Sequence, residues 1–291
     1  MKRLLSLLLC GLLLSGCAAT YDGPTETELV LTEYEVRHYS PFFDDAEVDI
    51  NRSVYAYDIY GNRVRELEYD NGELAQETRT TYDEEGRELT RIVIDRSGWI
   101  PKIEYRSKQT YDEQGRLLSY SSYDMWGRKN GETLYRYDDE QNTMIWSNSS
   151  GDEVTYYYDE TGKQLRDVSI GVGGAYETVY TYDERGNRTG WTSTKDGKLF
   201  SRYEAGYDEQ NRLIWGIRYD ENGTQEAKTT YTYDDEANTM TTVKDGGGKR
   251  VKYYDADGRI HLIEDYSEDG KLTMIQQYFY QDIRVPATGE E

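Results

Sequence analysis

Bulky and polar residues alternate in short runs along most of this chain. "SVYAY" (53–57), "TVYTY" (178–182) and "TTYTY" (229–233) show the pattern. A period of two sends successive side chains to opposite faces of a strand. The pairs Tyr55/Tyr57, Tyr135/Tyr137, Tyr156/Tyr158, Tyr180/Tyr182 and Tyr231/Tyr233 therefore each share a face. Across neighbouring strands, these rings are expected to form a stacked ladder. Aspartate, asparagine and glycine interrupt the runs about every twelve residues, a spacing suited to antiparallel hairpins. The one long apolar run, Leu4–Leu14, lies at the start.

The strong interruptions share a chemistry. Tyr-Asp pairs begin at Tyr57, Tyr82, Tyr111, Tyr137, Tyr158, Tyr182, Tyr207, Tyr233 and Tyr254. In "TYDERGNRT" (181–189) aspartate opens a turn and glycine follows three residues later, a type I preference. An aspartate carboxylate can accept from amides two residues on and pin the corner. Asn142, Asn211 and Asn238 stand where other copies have glycine, which points to a left-handed backbone there. A second level of repetition sits above the turns. Residues 111–170 align without a gap on 207–266, with 23 identities in 60 positions, so a block of four hairpins has been copied.

Composition fits this picture. Tyrosine is present 30 times against 4 phenylalanines, and it favours half-wet strands over a thick apolar core. The segments YDIYGNR, YDEEGRE, YDEQGRL, YDETGKQ, YDERGNR and YDADGRI resemble the YD repeats of RHS-type proteins, over roughly residues 53 to 278. That resemblance implies a long β-sheet wound into a spiral shell, in some members around a toxic cargo. This chain departs from the toxin members: it lacks the extended core segment that precedes the cargo, and "QDIRVPATGEE" follows Tyr280. The expected fold is all-β, a repetitive antiparallel hairpin array in an elongated, curved or partly spiral sheet. About eighteen strands at about 4.8 Å would span on the order of 85 Å. The expected organisation is a signal peptide (1–16), a lipidated tether and N-terminal capping strand (17–52, with the cap at 27–39), the repeats (53–278) and a C-terminal tail (279–291).

The N-terminus carries its own signal. Lys2 and Arg3, the apolar run and Leu14-Ser15-Gly16-Cys17 have the layout of an export signal ending in a bacterial lipobox. A plain secretory peptide with a chance cysteine is the alternative. In the lipobox reading Cys17 is acylated, and two or more chains anchor a protein stably to a membrane. The expected location is the bacterial cell envelope, facing away from the cytoplasm. Cys10 leaves with the signal, so no thiol remains for a disulfide, a zinc site or a nucleophile. A formal charge of −22 argues against nucleic acid as a partner.

Catalytic chemistry finds little footing. Acid pairs such as Asp183–Glu184 recur from turn to turn, whereas an active site gathers unlike groups in one cleft. His38 and His261 are the only histidines, and no familiar catalytic motif is present. No enzyme activity and no cofactor are expected. Asp255 and Asp257 form a weak calcium candidate without the downstream glutamate that calcium loops use. Trp99, Trp126, Trp146, Trp191 and Trp215 are candidate ligand platforms, with packing between strands as the competing reading. The expected function is a structural or adhesive role, binding a polysaccharide or a surface protein. Alternatives are a component that encloses or neutralises a toxin, and a surface hydrolase with an unrecognised site.

Overall fold

The computed structural model describes residues 25–39, 47–171 and 173–286. The signal peptide, Cys17, the tether and the last five residues of the tail lie outside them. Every regular element among the described residues is a strand. The first are β1 (Thr25–Tyr39), β2 (Glu47–Tyr57), β3 (Arg63–Asp70), β4 (Glu73–Tyr82), β5 (Glu88–Asp95), β6 (Lys102–Tyr111) and β7 (Leu117–Tyr123). Next come β8 (Lys129–Asp138), β9 (Thr143–Asn148), β10 (Glu153–Tyr158), β11 (Gln164–Gly171), β12 (Gly174–Tyr182) and β13 (Arg188–Lys195). The chain ends with β14 (Lys198–Tyr207), β15 (Leu213–Tyr219), β16 (Gln225–Asp234), β17 (Thr239–Lys244), β18 (Lys249–Tyr254), β19 (Ile260–Tyr266) and β20 (Leu272–Pro286).

Each strand pairs antiparallel with the next, and β1 pairs with both β2 and β20. The sheet is therefore a closed barrel of 20 strands, and the expected open or spiral sheet is corrected. The physical reason lies in residues 27–39. They do not cap the array; they fill the gap between its first and last strands, so neither edge is left unpaired. Arg52 grips Glu33 across one seam through Nε at 2.6 Å and Nη2 at 2.9 Å, and Tyr34 meets Tyr278 across the other at 4.9 Å between ring centres. The expected boundaries move with the closure. The ladder takes in β1 and all of β2 from Glu47, ahead of residue 53, and 279–286 lie in β20.

Turns after even-numbered strands form one rim, and all nine carry the Tyr-Asp motif; turns after odd-numbered strands form the other, where only Tyr69-Asp70, Tyr123-Asp124 and Tyr219-Asp220 repeat the pair. In the opening motif, Asp183 Oδ1 accepts from the amides of Arg185 (3.0 Å) and Asn187 (2.8 Å), while Oδ2 accepts from Asn187 Nδ2 (2.9 Å). Gly186 sits at φ 88°, and Asn142, Asn211 and Asn238 take φ of 51°, 62° and 50°, as the substitution of glycine by asparagine requires.

Consecutive hairpins are zipped through the same motif. The hydroxyls of six motif tyrosines donate to the carbonyl just past the preceding Tyr-Asp turn, among them Tyr111 to Glu88 (2.8 Å), Tyr137 to Leu117 (2.9 Å) and Tyr233 to Leu213 (2.9 Å), and Tyr280 does the same to Ile260 (2.8 Å). The cation after the turn glycine or asparagine lies over that ring, as Arg116 over Tyr137 and Arg212 over Tyr233, both at 4.3 Å. The same arginines hold their own turn aspartates, Asp112 and Asp208, at 2.7 Å. The expected ring-on-ring ladder is thus an alternation of rings and cations. Motif tyrosines recur every second strand, about 9.6 Å apart, which is beyond the reach of ring stacking.

The barrel has two chemically distinct faces, neither of them apolar. One carries the tyrosines together with Glu66, Arg91 and Asp167; the other carries Arg65, Glu77, Lys108 and Arg166. A lipid-facing barrel wall disfavours charges at mid-strand, so this wall suits water on both sides. Among the described residues only Val36, Ala205, Val251 and Ile263 form a buried apolar set. Cα atoms approach within 8 Å only between adjacent strands. Twenty strands tilted about 40° give a ring about 40 Å across, too wide for side chains to fill.

Candidate functional site

A recess of about 930 Å³ lies on the face of Tyr180, spanning β12 to β16. Period-two alternation brings Tyr180, Trp191, Ser193 and Arg218 onto its floor, because directly paired residues share a face. Trp191 and Tyr203 lie nearly parallel, 16° between planes and 6.0 Å between centres. Gly216 makes room for this platform, since a Cβ there would sit 2.2 Å from the Tyr203 hydroxyl. Phe200 packs edge-on against Tyr176 at 5.4 Å and forms one wall.

Polar groups surround the rings. Arg218 donates through Nε to Glu226 at 3.0 Å, and Asp220 and Glu221 stand at the mouth on the β15–β16 turn. Asp220 is spent on that turn, accepting from the amides of Asn222 (2.9 Å) and Thr224 (2.8 Å). Tyr180 donates to Asp167 at 2.7 Å beneath the cavity. Burial first, then this bond and the charge of Asp167, push the Tyr180 phenol well above its ordinary value. Tyr180 is therefore a fixed donor. The assembly offers an aromatic shelf ringed by hydrogen-bonding groups of both signs, the usual chemistry of a polar small-ligand site.

The five tryptophans do not gather. Trp191 is in the cavity, and Trp146 shares its face but lies on β9, opposite Tyr135 and Val154. Trp215 lies on the other face, packed over Gly206, where a Cβ would be 2.3 Å from Nε1. Trp99 and Trp126 project from turns on the rim formed after odd-numbered strands. Asp255 and Asp257 both bind Arg259, which takes the position a cation would hold. Among the described residues no group of three acidic, histidine or cysteine side chains converges.

The remaining lining, Arg218, Glu221, Asn222 and Glu226, was missed by residue type alone. A signal was nevertheless present: the same positions in the earlier copy are Ser122, Met125, Trp126 and Asn130. One side of the cavity is thus built from places where the duplicated block has diverged, and the other, from Thr178 to Ser201, lies between the two copies. Outside it, the strongest electrostatic feature is Glu77, fully enclosed and bound by Arg65 (2.9 Å), Arg79 (2.7 Å) and Arg96. Burial alone would raise its carboxyl, but the bonds from Arg79, Arg96 and Arg65 outweigh it and lower it to about 2.

No family profile matches the chain, and no curated protein matches it. Solved structures do. A porin-like protein from Bacteroides uniformis aligns over 86% of this chain and 98% of its own, at 11% identity and a TM-score of 0.40. A porin-like protein from Bacteroides vulgatus covers 65% and 97%, at 17% identity and 0.34. The Tc holotoxin pore of Photorhabdus luminescens aligns over 86% of this chain but 18% of its own, at 13% identity and 0.24. At such scores the likeness is one of β-rich architecture and says nothing of activity.

Proposed function

We propose that this chain is an RHS-like repeat lipoprotein of the cell envelope, with a structural and adhesive role, that binds a saccharide in the cavity over Trp191. The Trp191–Tyr203 shelf carries the reading. A flat aromatic pair bordered by Arg218, Glu226 and Tyr180 can receive the apolar face of a sugar ring and bond its hydroxyls. A glycan array probed with the lipid-free chain (residues 18–291) tests this. Binding that falls at least tenfold in Trp191→Ala, with an unchanged circular dichroism spectrum, is the expected result. Absence of any glycan signal, or equal binding by the variant, overturns it. The closed wall also favours a second reading, enclosure of a polypeptide, which would show as a protease-protected partner co-purifying with the chain.

A further inference from the structure

We propose that the rim formed by the turns after odd-numbered strands docks onto a phospholipid bilayer, and that this bilayer is a different one from that holding the Cys17 lipid. The observation is a pair of neighbouring hairpin tips. Trp99 and Ile100 crown the β5–β6 loop with relative exposures of 106% and 76%; Met125 and Trp126 crown the β7–β8 turn at 44% and 71%. β6 and β7 are paired, which sets the two tips about two strand spacings, or about 10 Å, apart. Four large apolar side chains thus stand together at the apex of the wall.

Their form favours a lipid interface over a protein groove. The apolar groups project from convex tips, and a fluid headgroup layer can receive a convex shape without a matching cavity. Tryptophan sits readily at that interface, with its ring in the apolar boundary and its N–H wet. Cations stand at the shoulders: Arg128 lies over the Trp126 ring at 4.5 Å, and Lys102 and Lys129 open the two strands that leave the tips, Lys129 in an ion pair with Glu132. The acids at the same level, Asp95 and Asp124, are turned inward, onto Ser97 and onto Arg128 with its neighbouring amides. In a chain of formal charge −22, this is a place where repulsion from phosphate headgroups is locally relieved.

The position of the lipid decides which bilayer. β1 begins on the Tyr-Asp rim, and residues 25–30 pair with 281–286 beyond the end of the wall as a two-stranded ribbon. From Thr25, the 15 residues of β20 lead back to the far rim, about 50 Å along the strand and about 38 Å in height at a 40° tilt. The eight steps from Cys17 to Thr25 reach at most about 27 Å. Tips and lipid cannot meet in one flat membrane, so the molecule would bridge two surfaces. The bridging half of the proposal rests on the lipidation of Cys17; the docking half does not.

The two halves are tested separately. First, the lipid-free chain (18–291) is sedimented with phosphatidylethanolamine/phosphatidylglycerol vesicles and its tryptophan emission recorded. Vesicle binding with a blue shift is expected, with at least a tenfold loss in the double variant Trp99→Ala/Trp126→Ala and unchanged binding in Trp215→Phe. No binding by the parent chain, or equal binding by the double variant, overturns the docking. A melting curve of the double variant separates lost docking from lost folding, and Ile100→Ser serves as a second, milder probe. Second, the lipidated protein in one vesicle population is mixed with bare vesicles. Clustering that requires Trp99 and Trp126 is expected. Docking without clustering leaves the tips as a membrane site and removes the bridge.

Discussion

Glu77 shows how a single charged side chain can be fixed in a wall without a core. It faces Leu67 and Ile94 across the ladder, an apolar row in which an isolated carboxylate would be costly, and three guanidiniums supply its charge and bonds. Its folded value near 2 lies below the ordinary 4.5, so the stabilisation is present above pH 4.5 and is lost as pH falls toward 2. The shift corresponds to about 3 kcal/mol, reduced to about 2 because the arginines are partly solvated. Glu77→Gln should therefore unfold more easily by about that amount at pH 7, and its deficit against the parent chain should shrink between pH 4.5 and 2, while the turn aspartates keep their own acid dependence. Denaturant titrations at the three pH values check both, and a Gln variant as stable as the parent at pH 7 would dismiss the clamp.

Hairpins owe their register to the turn as much as to their side-chain pattern. The Tyr-Asp turn places one residue in the left-handed region and shifts the ladder by one position just before the tyrosine, as between Thr181 and Tyr182. The shift is not what aims the ring, since Tyr137 and Tyr233, whose ladders run on without it, still donate to Leu117 and Leu213. The two turns with an added residue test the rule. Asp139 and Asp235 there capture Arg116 and Arg212 of the preceding turn at 2.6 Å, so the zipper continues through charge. Gly186→Ala should cost about 1 kcal/mol at φ 88°, whereas Asn211→Gly at φ 62° should be neutral or slightly stabilising. Thermal melts of the two variants read the difference, and equal losses would show that backbone geometry is not what selects these residues.

Closure is the property that belongs to the molecule as a whole. Strands β2 to β20 alone would leave β2 and β20 as open edges, and long open sheets curl or associate. β1 occupies that gap with thirteen backbone partners on β20 and seven on β2. A chain beginning at residue 40 should accordingly lose the ring. Small-angle scattering is expected to show a larger radius of gyration, and size-exclusion chromatography is expected to show association through the freed edges. A monomer of unchanged radius would mean that β2 and β20 can close without β1.

Much of the architecture was legible because it is local. Asp183, Gly186 and Asn187 determine their corner within five residues, and nine copies of that chemistry announce an antiparallel array whatever surrounds it. The divergence of Arg218 and Glu226 from Ser122 and Asn130 was also written in the chain, although its meaning was not. What the sequence could not state is curvature. Nothing in "TELVLTEYEVRHY" distinguishes a strand that caps one edge from a strand that joins two, because the choice depends on twist accumulated over all the intervening hairpins. The same sum over strands decides which tryptophans face one another, leaves Trp191 on a shelf with Tyr203, and sends Trp99 and Trp126 to neighbouring tips. Local chemistry determined the hairpin; only the closed ring decided what the hairpins present.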